Sequence, residues 1–86
     1  MSEDLKEQFE AAAVASKSLS RRPANEDMLE LYSLYKQATI GDVSGERPGG
    51  FDFVGGAKFD AWSGLKGLTA EEAMRRYVAK IEALKG

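Results

Sequence analysis

The chain of 86 residues has no cysteine and no histidine. Without cysteine there is no disulfide framework, thiol nucleophile or thiolate metal site. Without histidine, metal ligation and acid–base work fall to carboxylates or lysine. A zinc enzyme, a Ser-His-Asp hydrolase and a cysteine protease are thereby excluded. Long hydrophobic runs are also missing. No stretch approaches the roughly 18–20 apolar residues of a membrane span, and no apolar signal-peptide core follows Met1. Neither sign of charge dominates, with 12 basic against 14 acidic residues and a net charge of −2. The dense basic pair Arg21-Arg22 is too short to form a stripe along a polyanion, so nucleic acid is not an expected partner.

What remains is a chain with 43% hydrophobic and 30% charged residues. That composition supports one modest core inside a solvated surface, hence a single domain over residues 1–86. Punctuation divides it into four helical stretches. In the first, Ser2-Glu3-Asp4 forms a cap with first-turn acids. Leu5, Phe9, Ala12, Ala13, Ser16 and Leu19 then recur on one face, until Pro23 ends the run. The second stretch starts at Asn25 and runs to about Ile40, with Met28, Leu31, Tyr32 and Tyr35 as its apolar stripe and Leu29 and Leu34 on the flanks.

Residues 41–54 are too rich in glycine to be regular helix, yet carry Val43, Phe51, Phe53 and Val54. The reading is an ordered loop pinned by its aromatics. Gly55-Gly56 then opens a third helix, in which Lys58, Ala61, Trp62 and Leu65 share a face, and Gly67 closes it. Thr69-Ala70-Glu71-Glu72 is a capping box, the clearest start signal in the chain. The fourth helix is expected to point Ala73, Met74, Tyr77, Ile81 and Leu84 inward, and Arg75, Arg76 and Lys80 outward. Strand-period alternation is nowhere sustained, so the fold class is an all-α four-helix bundle.

Some residues are unusual for a purely structural bundle. Tyr32 and Lys36 lie one turn apart on the second helix, with Tyr35 one position round. Lys58 stands in line with an apolar stripe, and Tyr77 falls mid-stripe on the fourth helix. Phenols and ammoniums converging on one concavity suit a phosphorylated, aromatic ligand. The structural alternative is that the tyrosines are core and the lysines reach to water, which makes the chain a helical protein-interaction module without ligand. The glycine pairs lack the Gly-Lys-Ser/Thr of a phosphate loop, and the spacing of Asp42, Asp52 and Asp60 prescribes no metal site.

The run Tyr32-Ser33-Leu34-Tyr35-Lys36-Gln37-Ala38-Thr39-Ile40-Gly41-Asp42 resembles the Tyr-Ser-x-Tyr-Lys-Gln-Ala-Thr-x-Gly-Asp signature of the acyl-CoA-binding protein family. The resemblance continues through Arg47-Pro48-Gly49, Ala57-Lys58-Phe59-Asp60-Ala61-Trp62 and Glu72-Ala73-Met74 to Tyr77, and upstream through Met28-Leu29, Pro23-Ala24 and Lys17 to Phe9. It implies an up-down-down-up four-helix bundle and non-catalytic binding of medium- and long-chain acyl-CoA thioesters. By the same resemblance the protein is expected to be a cytoplasmic monomer that buffers and transports these esters. It needs no metal and no other cofactor, and makes no stable membrane insertion.

Matched position by position, the resemblance assigns ligand contacts to Lys17, to Tyr32, Ser33, Leu34, Tyr35 and Lys36, and to Lys58 and Tyr77. Tyr32, Lys36 and Lys58 match the positions that hold the ribose 3′-phosphate. Tyr35 and Tyr77 are the candidates for the adenine. Met28 and Leu29 match the groove of the acyl chain. Ser16 stands where the family usually has an aliphatic residue, so weaker packing against the fourth helix is expected. Val54 and Gly56 stand where relatives commonly have lysine, which removes two cations near the start of the third helix.

Overall fold

The computed structural model describes residues 3–85. Four helices follow one another: α1 (Glu3–Ala15), α2 (Asn25–Thr39), α3 (Phe53–Ser63) and α4 (Ala70–Lys85), with no strand among the described residues. The capping role expected of Ser2 lies outside them. Side-chain neighbours set the helix directions. Lys58 lies beside Tyr32 and Trp62 beside Gln37, so numbering rises together and α2 and α3 run parallel. Lys80 near the end of α4 reaches Asp27 at the start of α2, which makes that pair antiparallel. Lys6 shares a cavity wall with Thr39, and Ser16 shares another with Met28, so α1 also opposes α2. The order is up-down-down-up, as the resemblance implies.

α4 packs on both α1 and α2, and α3 packs on α2. The core joins Phe9 and Ala12 of α1, Leu31, Leu34 and Ala38 of α2, and Ala73, Met74, Tyr77 and Ile81 of α4. Alanines at the crossings let the axes approach, while Phe9 meets Tyr77 edge-on at 5.1 Å and stacks on Tyr35 at 5.5 Å.

A polar knot locks α3 in place. The Gln37 side chain is 1% exposed. Its Nε2 donates to Asp42 Oδ1 at 2.8 Å and to the Leu68 carbonyl at 2.9 Å. Its Oε1 accepts from Trp62 Nε1 at 3.1 Å, and the same indole N–H reaches the Gly41 carbonyl at 2.8 Å. Asp42 Oδ1 also accepts the Gly67 N–H at 2.8 Å. One buried amide thus ties the end of α2 to the end of α3 and to both connections beyond.

Several local expectations change. α1 stops at Ala15, and Ser16 lies in the turn beyond it, half-buried, donating its hydroxyl to the Ala13 carbonyl at 2.6 Å. It therefore does not interrupt a core stripe against α4. α2 does start at Asn25, with Ala24 as an N-cap that offers no side-chain acceptor. The loop before α3 is not pinned by aromatics, since Phe51 is 97% and Phe53 78% exposed. Arg47 holds it instead, through a two-pronged pair with Asp60 at 2.9 and 3.0 Å. α3 starts two residues earlier than the glycine pair, because Asp52 caps it by accepting the Gly55 N–H at 2.8 Å. It ends at Ser63, and turns carry the chain on to Gly67, whose φ of +90° suits glycine.

On α4 half of the expected capping box forms: Thr69 Oγ1 accepts the Glu72 N–H at 3.1 Å, while the Glu72 carboxylate pairs with Arg75 and Arg76. Lys80 does not simply face outward. It bridges to Asp27 at 2.6 Å and Glu30 at 3.4 Å across the α2–α4 seam, and the hydrogen bond to Asp27 raises its pKa.

Two measurements check this frame. Gln37→Ala strips partners from Leu68 and leaves a cavity, so it is expected to lower unfolding free energy by about 2–4 kcal/mol in denaturant melts. The Gly67 N–H, then Gln37, lower the pKa of Asp42. A carboxylate with a lowered folded pKa stabilises above its unfolded value and loses that contribution as pH falls through the folded one. Stability is expected to decline below about pH 4, and Asp42→Asn to flatten part of that decline.

Candidate functional site

The parallel setting of α2 and α3 brings two lysines to one phenol. The Lys58 ammonium lies 5.0 Å from the centroid of the Tyr32 ring, and Lys36 lies 5.7 Å from the same ring. Lys36 is also 5.7 Å from the Trp62 ring. Contacts of this kind hold cations against aromatic faces without neutralising them. Among the described residues neither lysine has a carboxylate partner, so the cluster keeps its positive charge for an anion.

The other side of Tyr32 is apolar. Tyr32 also forms the wall of a cavity of about 280 Å³ with Ser16, Pro23, Met28, Leu31, Tyr35 and Tyr77. A second cavity, of about 440 Å³, lies between α1 and the ends of α2 and α4, and shares Tyr35 with the first. The site is therefore two-natured, with cations and an apolar recess meeting at one aromatic ring. It contains no acid–base pair, and no group of carboxylates suited to a metal occurs among the described residues.

The residues matched by resemblance divide into those that reach the site and those that do not. Tyr32, Lys36 and Lys58 converge. Tyr35 is 43% exposed between the two cavities and presents a ring to solvent. Tyr77 is buried in a triad with Phe9 and Tyr35, so it forms cavity floor and has no free face for stacking. Met28 lines the first cavity, whereas Leu29, about a hundred degrees round the helix, does not. Lys17 is exposed, one residue beyond Ser16, with no contact to the Tyr32 cluster among the described residues.

Ser33 and Leu34 are both buried, Ser33 donating its hydroxyl to the Glu30 carbonyl at 2.9 Å and Leu34 packed in the core, and neither side chain lines the recess. Ser16, Pro23 and Leu31 are not among the ligand contacts that the resemblance assigns, yet they line the recess. Leu31 had a signal, since it shares a stripe with Met28 and Tyr35. Ser16 continues the apolar stripe of α1 in the sequence, whereas Pro23 sits in the connection, where periodicity carries no information.

Residues 6–81 match the family model described as acyl CoA binding protein. The chain belongs to the acyl-CoA-binding protein family. Among its relatives, an acyl-CoA-binding protein of Brassica napus is 49% identical over 93% of this chain and 87% of its own length. An acyl-CoA-binding protein homolog of Manduca sexta is 48% identical over 93% of this chain and 90% of that one. The crystal structure of Oryza sativa acyl-CoA-binding protein 2 superposes with a TM-score of 0.88 at 46% identity, covering 93% of this chain and 89% of that one. Membership in a non-catalytic binding family agrees with a site that lacks reactive groups. The alternative of a ligand-free interaction module is set aside.

One variant separates fold from ligand. Among the described residues the Tyr77 hydroxyl has no hydrogen-bond partner. Tyr77→Phe is therefore expected to leave stability within about 0.5 kcal/mol of wild type, as read by denaturant melts. A larger loss would reveal a partner for that hydroxyl inside the fold.

Proposed function

We propose that this chain binds long-chain acyl-CoA esters with the Tyr32, Lys36 and Lys58 cluster on the ribose 3′-phosphate and the cavity at Met28 and Leu31 on the acyl chain. One observation carries the reading: the Tyr32 ring belongs both to the cationic cluster and to the wall of the apolar recess. A ligand that satisfies both sides carries an anionic group and a hydrocarbon chain, as a phosphorylated acyl ester does. Tyr35, the exposed ring between the two cavities, is the partner assigned to the adenine.

The energetics favour a carrier. Each exposed methylene costs roughly 0.8 kcal/mol in water, so an apolar recess answers a solubility problem. The phosphate contacts orient the ester and disfavour free fatty acids, which lack that group. Val54 and Gly56 supply no charge at the entrance of α3, so the phosphate depends on Lys36 and Lys58. On this reading the protein is an acyl-CoA buffer that yields its ligand by mass action, and we place it in the cytoplasm as a monomer.

Calorimetric titration with palmitoyl-CoA, CoA and palmitate side by side tests the class of ligand, with the first expected to bind far tighter than the others. Lys36→Ala and Lys58→Ala are each expected to weaken palmitoyl-CoA by about 1.5–3 kcal/mol, the range for a charged hydrogen bond. The loss should shrink for an ester lacking the 3′-phosphate. Equal losses for both esters would move the phosphate to another cation, Lys17 first.

A further inference from the structure

From Ala11 to Asn25 the chain carries Lys17, Arg21 and Arg22 and no carboxylate, in a protein whose net charge is −2. This basic stretch includes the whole connection between α1 and α2. Arg21 and Arg22 are exposed, and among the described residues neither has an ion-pair or hydrogen-bond partner. Together with Lys85 from the end of α4 they line a concavity of about 450 Å³. The acidic residue on its wall, Asp27, is already bridged to Lys80 at 2.6 Å. Lys85 is shared with Glu82 at 3.0 Å. The concavity therefore carries an uncompensated positive charge.

Its position gives that charge a use. Pro23 forms part of this wall and part of the wall of the apolar recess at Met28 and Tyr32. The basic concavity and the recess are neighbours across a single residue. We infer that this face docks on an anionic lipid bilayer, with headgroup phosphates against Arg21, Arg22 and Lys85. The inference deepens the acyl-CoA reading and rests on it, because it names the surface at which a lipid chain enters or leaves the recess.

Charge complementarity selects the occupant. A nucleic acid offers phosphates in a continuous line and calls for a matching stripe, whereas separate headgroups suit a few cations around a hollow. No helix among the described residues is long and apolar enough to cross a membrane. Attachment is therefore electrostatic, peripheral and weakened by salt.

Co-sedimentation of the full chain tests this, using vesicles of phosphatidylcholine alone and of phosphatidylcholine mixed with phosphatidylserine. Binding is expected to the mixed vesicles only, and to fall as salt is raised. Cations near an anionic surface contribute roughly fivefold each, so R21Q with R22Q is expected to reduce partitioning by about 25-fold. R75Q with R76Q makes the same change of charge near the opposite end of α4 and is expected to stay within about twofold of wild type. Equal loss in the two double variants, undiminished binding by R21Q with R22Q, or equal binding to both vesicle types would overturn the assignment. The vesicles contain no acyl-CoA. A chain that docks but ignores palmitoyl-CoA in calorimetry fails the ligand reading alone, and a chain that binds palmitoyl-CoA but ignores phosphatidylserine fails this one.

Discussion

The saturated hydrogen bonding of Gln37 is the constraint from which the binding site follows. Both of its amide protons and its oxygen are used, on Asp42, Leu68 and Trp62. A buried amide left unpaired is costly, so the three partners must arrive together. Their arrival holds α3 alongside α2 with numbering in the same direction. Only that register sets Lys58 against the ring of Tyr32, and only the same register lays Trp62 beneath Lys36. A two-helix seam held by hydrophobic contact alone would tolerate sliding, and a slide of one turn would separate the two lysines.

Around that knot the remaining elements divide the work. The α1–α2–α4 core is conventional packing of apolar and small residues, and it supplies the floor of both cavities through Phe9, Met74 and Tyr77. α3 takes little part in that core; of its residues only Gly56 is buried. Its work is to carry Lys58 and to anchor the long loop before it. At Gly56 a Cβ would lie 2.8 Å from the Arg47 guanidinium, so a larger residue there would shift the exposed tip of that arginine. The bare backbone lets Arg47 reach Asp60 and close the loop. Arg47 in turn holds the Asp60 carboxyl below its usual range.

Much of the fold was legible because helices announce themselves locally. The Thr69 cap, the acids at the starts of α2 and α4, and the recurrence of apolar residues along α1, α2 and α4 are short-range signals, and each had its counterpart in the structure. The family signature from Tyr32 to Asp42 brought the topology and the ligand class with it. The loop of residues 41–52 was legible only as irregular. Its aromatics looked like anchors, yet Phe51 and Phe53 face water and charged residues hold the chain. Hydrophobicity argues for burial only where an opposing surface exists, and a loop sequence does not say whether one does.

By itself, the sequence determined four helices, one core, a site without reactive groups and the family that supplies its ligand. Each follows from local pattern, from composition or from a long ordered match. The tertiary structure alone decided which polar side chains turn inward. Ser33 and Leu34 share a signature with Tyr32 and Lys36, yet the first two are core and the others reach the site. Lys80 reads as an outward charge and becomes a bridge between α4 and α2. The physical reason is angular. Periodicity places a residue on a helix face to within about a hundred degrees, but what that face meets depends on the crossing and register of a helix tens of residues away.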